Sequence, residues 1–299
     1  MTTMLQIIQR ATGEMGLNVP SSVAGNQTQD VVQQLALLNA VGNELAREYQ
    51  WQALSKSYLF TVAFSTITGN TVVSTSNLTN ASSISGIDTT YQVSGPGINQ
   101  ATFVASAPSG TTIPLSQPAT STNTGSTYTL TKVRYAMPSD YDRQIDNTQW
   151  DKSKHWIMLG PETAQQWEWL ISGYISTGPR IRYRIFGNYF QIWPALGTAN
   201  TLGFEYMSNA WASDASGTAK TTFTVDTDTC IYPDVLMVLG LKNKYFQVKG
   251  LGPIYQEDYD KQLSIAQAND SGSPTLSFAP IPGNILIGPG NLPDSQYGT

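Results

Sequence analysis

The chain has 299 residues with 16 Lys or Arg against 21 Asp or Glu, a net charge of -5, and only 12% of its residues are charged where soluble domains average roughly 25%. This sparse, acidic charge excludes nucleic-acid or anionic-membrane binding through a generally basic surface, and seven Trp, fifteen Tyr and nine Phe exclude charge-driven disorder. One cysteine, Cys230, and one histidine, His155, exclude an internal disulfide and a His-based metal cluster.

The N-terminal stretch lacks a basic leader followed by an apolar run, so no secretory signal is expected there. Met4, Ile7, Ile8, Ala11 and Met15 recur at helical spacing behind Thr2-Thr3, and Gly16 stops the pattern. After a loop from Pro20 to Gly25, Thr28 or Asp30 caps a longer amphipathic helix running to about Leu54, with Val31, Leu35, Leu38, Val41 and Leu45 on one stripe. Ser57 to Phe64 then reads as a strand rich in aromatic and branched residues.

Composition changes abruptly between 66 and 131, where about 40% of residues are Ser or Thr and Asp88 is the only charged one. Short apolar pieces at Thr71-Val72-Val73, Tyr91-Gln92-Val93, Thr102-Phe103-Val104, Ile113-Pro114-Leu115 and Tyr128-Thr129-Leu130 alternate with turn residues, the pattern of a small all-β module inserted into the chain. Lys132 to Tyr135 resumes a strand, Pro161 opens a short helix with Trp167, Leu170 and Ile171 inward, and Arg180 to Phe186 alternates before a Gly187-Asn188 turn and the return strand Tyr189 to Trp193. Thr201 to Met207 continues the sheet.

Pro233 and Asp234 start a helix to Gly250, and Pro253 starts another to about Ala268. The longest strongly apolar run, Val235 to Leu241, is far short of the roughly 20 residues of a membrane span. From 271 to 299, Pro274, Pro280, Pro282, Pro289 and Pro293 forbid helix, while Leu276, Phe278, Ile281, Ile285 and Ile287 are too apolar for a solvated tail. The expectation is an extended arm that lies against a neighbouring subunit or partner. The predicted fold class is α+β: a helical bundle packed with an antiparallel β-sheet domain, plus the all-β insert and the arm. Residues 1–65 and 132–270 form the body, 66–131 the insert and 271–299 the arm.

Chemistry is thin. Nucleophilic catalysis by Ser or Cys needs a base, and the one histidine, His155, sits between Lys154 and Trp156 in a context typical of a packed or surface residue. Cys230 precedes a helix start but reads as a small buried hydrophobe. Asp140, Asp142 and Asp146, and Asp226, Asp228 and Asp234, form trios that match no EF-hand loop and sit in turn and capping contexts. Neither catalysis nor a cofactor is expected. The one local cationic feature is Arg180, Arg182 and Arg184, alternate residues on one hairpin face, which either meet DNA or an acidic partner or else form a solvated face paired with Glu162 and Glu168.

Several stretches carry a resemblance: Leu35 to Trp51 with the strand at Tyr58, Met137-Pro138-Ser139-Asp140-Tyr141-Asp142-Arg143, Asp146-Asn147-Thr148-Gln149-Trp150-Asp151, Ser176 to Arg184, and Tyr232-Pro233-Asp234 through Lys242-Asn243-Lys244-Tyr245-Phe246 to Tyr255. Together they resemble head-to-tail adaptor (tail tubular, or head-completion) proteins of short-tailed bacteriophages. The resemblance covers the first 65 residues and about 132–275, not the insert. It implies a non-enzymatic virion protein of the neck, assembled in the host bacterial cytoplasm as a twelve-subunit ring. Its implied partners are the portal protein, the tail nozzle protein and tail fibres, with DNA passing through the lumen without specific binding and no membrane contact. The competing expectation, of another class, is a tail-associated receptor- or carbohydrate-binding protein using the insert.

Overall fold

The computed structural model describes residues 2–172 and 180–271; the expected arm, with Leu276, Phe278, Ile281, Ile285 and Ile287, lies outside the described residues. Five α-helices are present among them: α1 (Met4–Glu14), α2 (Gln29–Glu48), α3 (Ala164–Ile171), α4 (Asp234–Val248) and α5 (Gln256–Ser271). The described chain divides into two compact units, one built from residues 2–56, 140–144 and 206–271, the other from 57–139 and 145–205.

The first unit holds four of the helices. α1 begins in a capping box: the Gln6 amide N–H donates to Thr3 Oγ1 (3.4 Å) while the Thr3 N–H donates to Gln6 Oε1 (3.0 Å). Its next amides are satisfied from afar, Met4 N donating to the Asp228 carbonyl at 2.7 Å and Leu5 N to that of Asp226 at 3.2 Å. α2 ends at Glu48, six residues before the expected stop, because Trp51 folds back and its indole N–H donates to the Leu45 carbonyl (2.6 Å), closing the last turn. α4 packs on α1, α2 and α5. The other side of α2 meets non-helical chain: Trp211, fully buried, lies flat against Gly42, where even one Cβ would collide with the indole ring. Trp211 also donates to Asn43 Oδ1 (2.9 Å) and meets Phe223 edge-on at 4.8 Å. A three-stranded sheet (Ala219–Lys220, Ala212–Ser213, Thr229–Cys230) and the pairing of Tyr141–Gln144 with residues 206–208 complete the unit.

The second unit is almost wholly β. Its largest sheet has six antiparallel strands in the order Thr102–Phe103, Tyr91–Ser94, Asn123–Lys132, Phe64–Thr71, Asn77–Thr79, Ile113–Pro114. Ile67, Leu78, Val93, Ile113, Tyr128 and Leu130 fill its core. A three-stranded sheet orders Arg182–Phe186, Tyr189–Trp193 and Arg134–Ala136, and residues 57–61 and 201–205 form a further sheet with Trp150–Asp151 and Trp156–Ile157. A ladder of rings ties the last two sheets together: Tyr183 stacks on Phe190 (4.9 Å), Phe190 on Phe204 (4.9 Å), and Tyr58 meets Phe204 edge-on (5.4 Å).

The expected helical bundle is corrected. The fold is a β-rich α+β arrangement of five helices among the described residues and several antiparallel sheets, one of them curled into a half-barrel. The physical reason is visible at α2: its amphipathic stripe is completed by Trp211 and Phe223, side chains from short strands and loops, rather than by a closed ring of helices. Helical periodicity shows that a face is buried, not what buries it.

Candidate functional site

The hairpin follows directly from its sequence. Gly187 and Asn188 both take positive φ (56° and 64°), the primed turn whose twist matches the flanking strands, and Phe186 pairs with Tyr189, Arg184 with Gln191 and Arg182 with Trp193. Tyr183 and Phe190 face the ring ladder. The opposite face, which carries Arg182 and Arg184, is partly covered by α3: Trp167 and Leu170 of α3 form a buried cluster with Trp193 and Ala101, against which Phe103 packs, while the arginines stay half-exposed. α3 starts at Ala164, three residues after Pro161, because Thr163 and Gln166 form its capping box.

The three arginines have separate fates. Arg182 Nη1 lies 2.5 Å from Glu162 Oε1, with the Glu162 side chain only 8% exposed. Arg184 donates from Nε to Gln191 Oε1 (2.7 Å), and its guanidinium sits 4.6 Å from the Trp167 ring centre and 4.7 Å from that of Phe186. Desolvation is the largest influence on Arg184 and pulls its pKa down, Glu168 pushes it back up, and Arg134 lowers it further. Arg180 precedes the strand and is partly buried. Sequence reasoning missed Arg134. Its strand pairs with Tyr189–Trp193 so that Arg134 stands opposite Gln191, and its guanidinium lies 5.0 Å from the Phe103 ring centre. The Lys132-Val133-Arg134-Tyr135 alternation put Arg134 on one strand face, but only the register puts it in a row with Arg184.

The acidic trios are absorbed by protein donors. Asp140 accepts from Lys56 (2.6 Å), Ser208 Oγ (2.7 Å) and the Tyr206 hydroxyl (2.9 Å). Desolvation raises its pKa, but these bonds together hold it below the ordinary value. Asp226 caps the amides of Val23 and Ala24 (3.0 and 2.7 Å), and Asp142 pairs with Arg143 (2.8 Å). Asp228, fully buried, takes Lys220 Nζ at 2.8 and 2.9 Å and the amides of Thr224 and Val225 at 2.7 and 2.9 Å. Among the described residues no group of three His, Cys, Asp or Glu is arranged to hold a metal ion. His155 is exposed in the turn between Trp150–Asp151 and Trp156–Ile157, and burial pushes the Cys230 thiol up to about 11. Within the described residues no helix is long and apolar enough to cross a membrane.

Exposed apolar side chains include two groups, at the hairpin tip and at the turn between α4 and α5. At the hairpin tip Phe186 and Tyr189 are 61% and 38% exposed, while Val248, Leu251 and Ile254 surround the turn between α4 and α5. That turn is built on Gly250 and Gly252, both at positive φ (73° and 83°). Compared with known proteins, the chain matches no family profile, and no curated protein is significantly similar to it.

Proposed function

We propose that the chain is a structural subunit of a bacteriophage neck, a head-to-tail adaptor that forms a ring between the portal and the tail nozzle and gives the genome a passage. The observation that carries this reading is the fate of the cations. At least nine of the sixteen basic side chains, including Arg10, Lys56, Arg143, Arg182 and Lys220, are held in ion pairs within the chain. A polyanion sliding past such a subunit meets few unneutralised cations to grip it, as a conduit for DNA requires.

Two further features support it. Exposed apolar side chains at the hairpin tip and the α4–α5 turn suit burial against other protein chains, since an apolar cluster on the surface marks an interaction site. The apolar, proline-rich residues beyond 271 suit an arm that docks on a neighbour or on the portal. Imaging of purified particles, alone and mixed with portal rings, tests the proposal. Closed rings of about a dozen copies seated on the portal are expected; isolated monomers or trimers that bind glycan would replace it with the receptor-binding reading.

A further inference from the structure

Arg184, Gln191 and Arg134 form one row across three adjacent strands, two cations separated by a single amide. Strands lie about 4.8 Å apart, so the two arginine backbones stand roughly 10 Å apart, within reach of one small group between their side chains. Both side chains are half-buried, and neither has an ion pair among the described residues. Gln191 is 3% exposed and spends its oxygen on Arg184, so its NH2 is a further donor within the row. Arg134 Nε is buried and has no hydrogen-bond partner. Glu168 is close enough to favour the Arg184 charge, but no hydrogen bond or ion pair joins them among the described residues. Two like charges held together in half-buried positions, in a chain that neutralises most of its other cations, are costly unless something negative meets them.

We propose that the Arg184–Gln191–Arg134 row is a recognition site for a carboxylate-bearing segment of a protein partner, with Phe186 and Tyr189 at the hairpin tip receiving that segment's apolar residues. Charge complementarity selects the occupant. Guanidinium forks fixed against Trp167, Phe186 and Phe103 match carboxylate geometry, and Arg beside exposed aromatic rings is the composition of an interface hot spot. Nucleic acid is disfavoured because two cations in an acidic chain neutralise too few phosphates for backbone binding. The inference stands without the adaptor reading: rings can form while peptide binding fails, and the reverse.

Calorimetric titration of the full chain at low salt with a blocked Asp-Phe-Glu-Tyr-Asp peptide tests it, beside the same peptide with Asn and Gln for its acids and a short oligothymidylate. Wild type should bind the acidic peptide only. Arg184→Gln and Arg134→Gln should each weaken binding about tenfold or more. Glu168→Gln, which removes a competing carboxylate from an exposed position, should tighten it about two- to threefold, and this variant carries the test if an arginine variant fails to fold. Binding unaltered by the arginine changes, unaltered by Glu168→Gln, or matched by the oligothymidylate would overturn the proposal.

Discussion

The helical unit and the six-stranded sheet satisfy their polar groups with different chemistry. The helical unit uses charge: Arg10 with Glu14 and Asp234, Lys242 with Glu14, Lys244 with Glu44, Lys249 with Asp30, and Lys220 with the buried Asp228. The sheet uses neutral groups. Tyr128 shares a buried hydrogen bond with Thr71 (3.1 Å), Asn123 Nδ2 donates to Ser121 Oγ (2.8 Å) and the Pro96 carbonyl (3.2 Å), and Asn70 Oδ1 accepts from the Gly125 amide (2.7 Å). Asp88, the lone charge of residues 66–131, stays at the surface, where it accepts from the Thr90 amide (2.8 Å). The helical unit is therefore built to respond to pH and salt and the six-stranded sheet to ignore them.

The most severe way to break the first unit spares charge altogether. Trp211→Ala removes the ring that α2 and Phe223 pack on and should cost about 4 kcal/mol in urea unfolding. Asp228→Asn tests the charge directly. Desolvation raises the Asp228 pKa, but Lys220 and the Thr224 and Val225 amides outweigh it and hold the carboxyl below its usual value. A depressed folded pKa gives stability that is present above the unfolded value and lost as pH falls through the folded one. The substitution should therefore cost about 3 kcal/mol at neutral pH, with the difference from wild type shrinking below pH ~4.

The sheet should respond otherwise. Tyr128→Phe deletes one buried neutral hydrogen bond and should cost about 1 kcal/mol, equally at pH 4 and pH 7 and at low and high salt. A strong pH or salt dependence of that cost would erase the distinction between the two regions. The smallest effect belongs to the surface of the helical unit. Lys244→Gln removes a half-exposed pair with Glu44 and should cost about 0.5 kcal/mol or less, vanishing in 1 M salt.

What the sequence showed and what it hid follow one physical line. Local chemistry was legible. Thr3 before Met4, the Gly187-Asn188 turn, the Tyr189–Trp193 return strand and the Asp234 start of α4 all stand where short-range preferences put them. Pairings distant in sequence were not. The exclusion of any side chain at position 42 depends on Trp211, remote in sequence, whereas the early end of α2 before Trp51 and the start of α3 at the Thr163–Gln166 box were local signals outweighed by the helical stripe and by Pro161. The alternation of Arg182 and Arg184 was visible, but a helix above them and Arg134 beside them are tertiary facts that no single strand encodes.

The central functional claim is that these units serve a closed ring. Native mass spectrometry of the purified full chain, in the presence and absence of portal rings, tests it most directly. A discrete species of about a dozen copies, formed alone or captured on the portal, is the result the account predicts. A monomer or trimer that persists at every concentration and never joins the portal would contradict it.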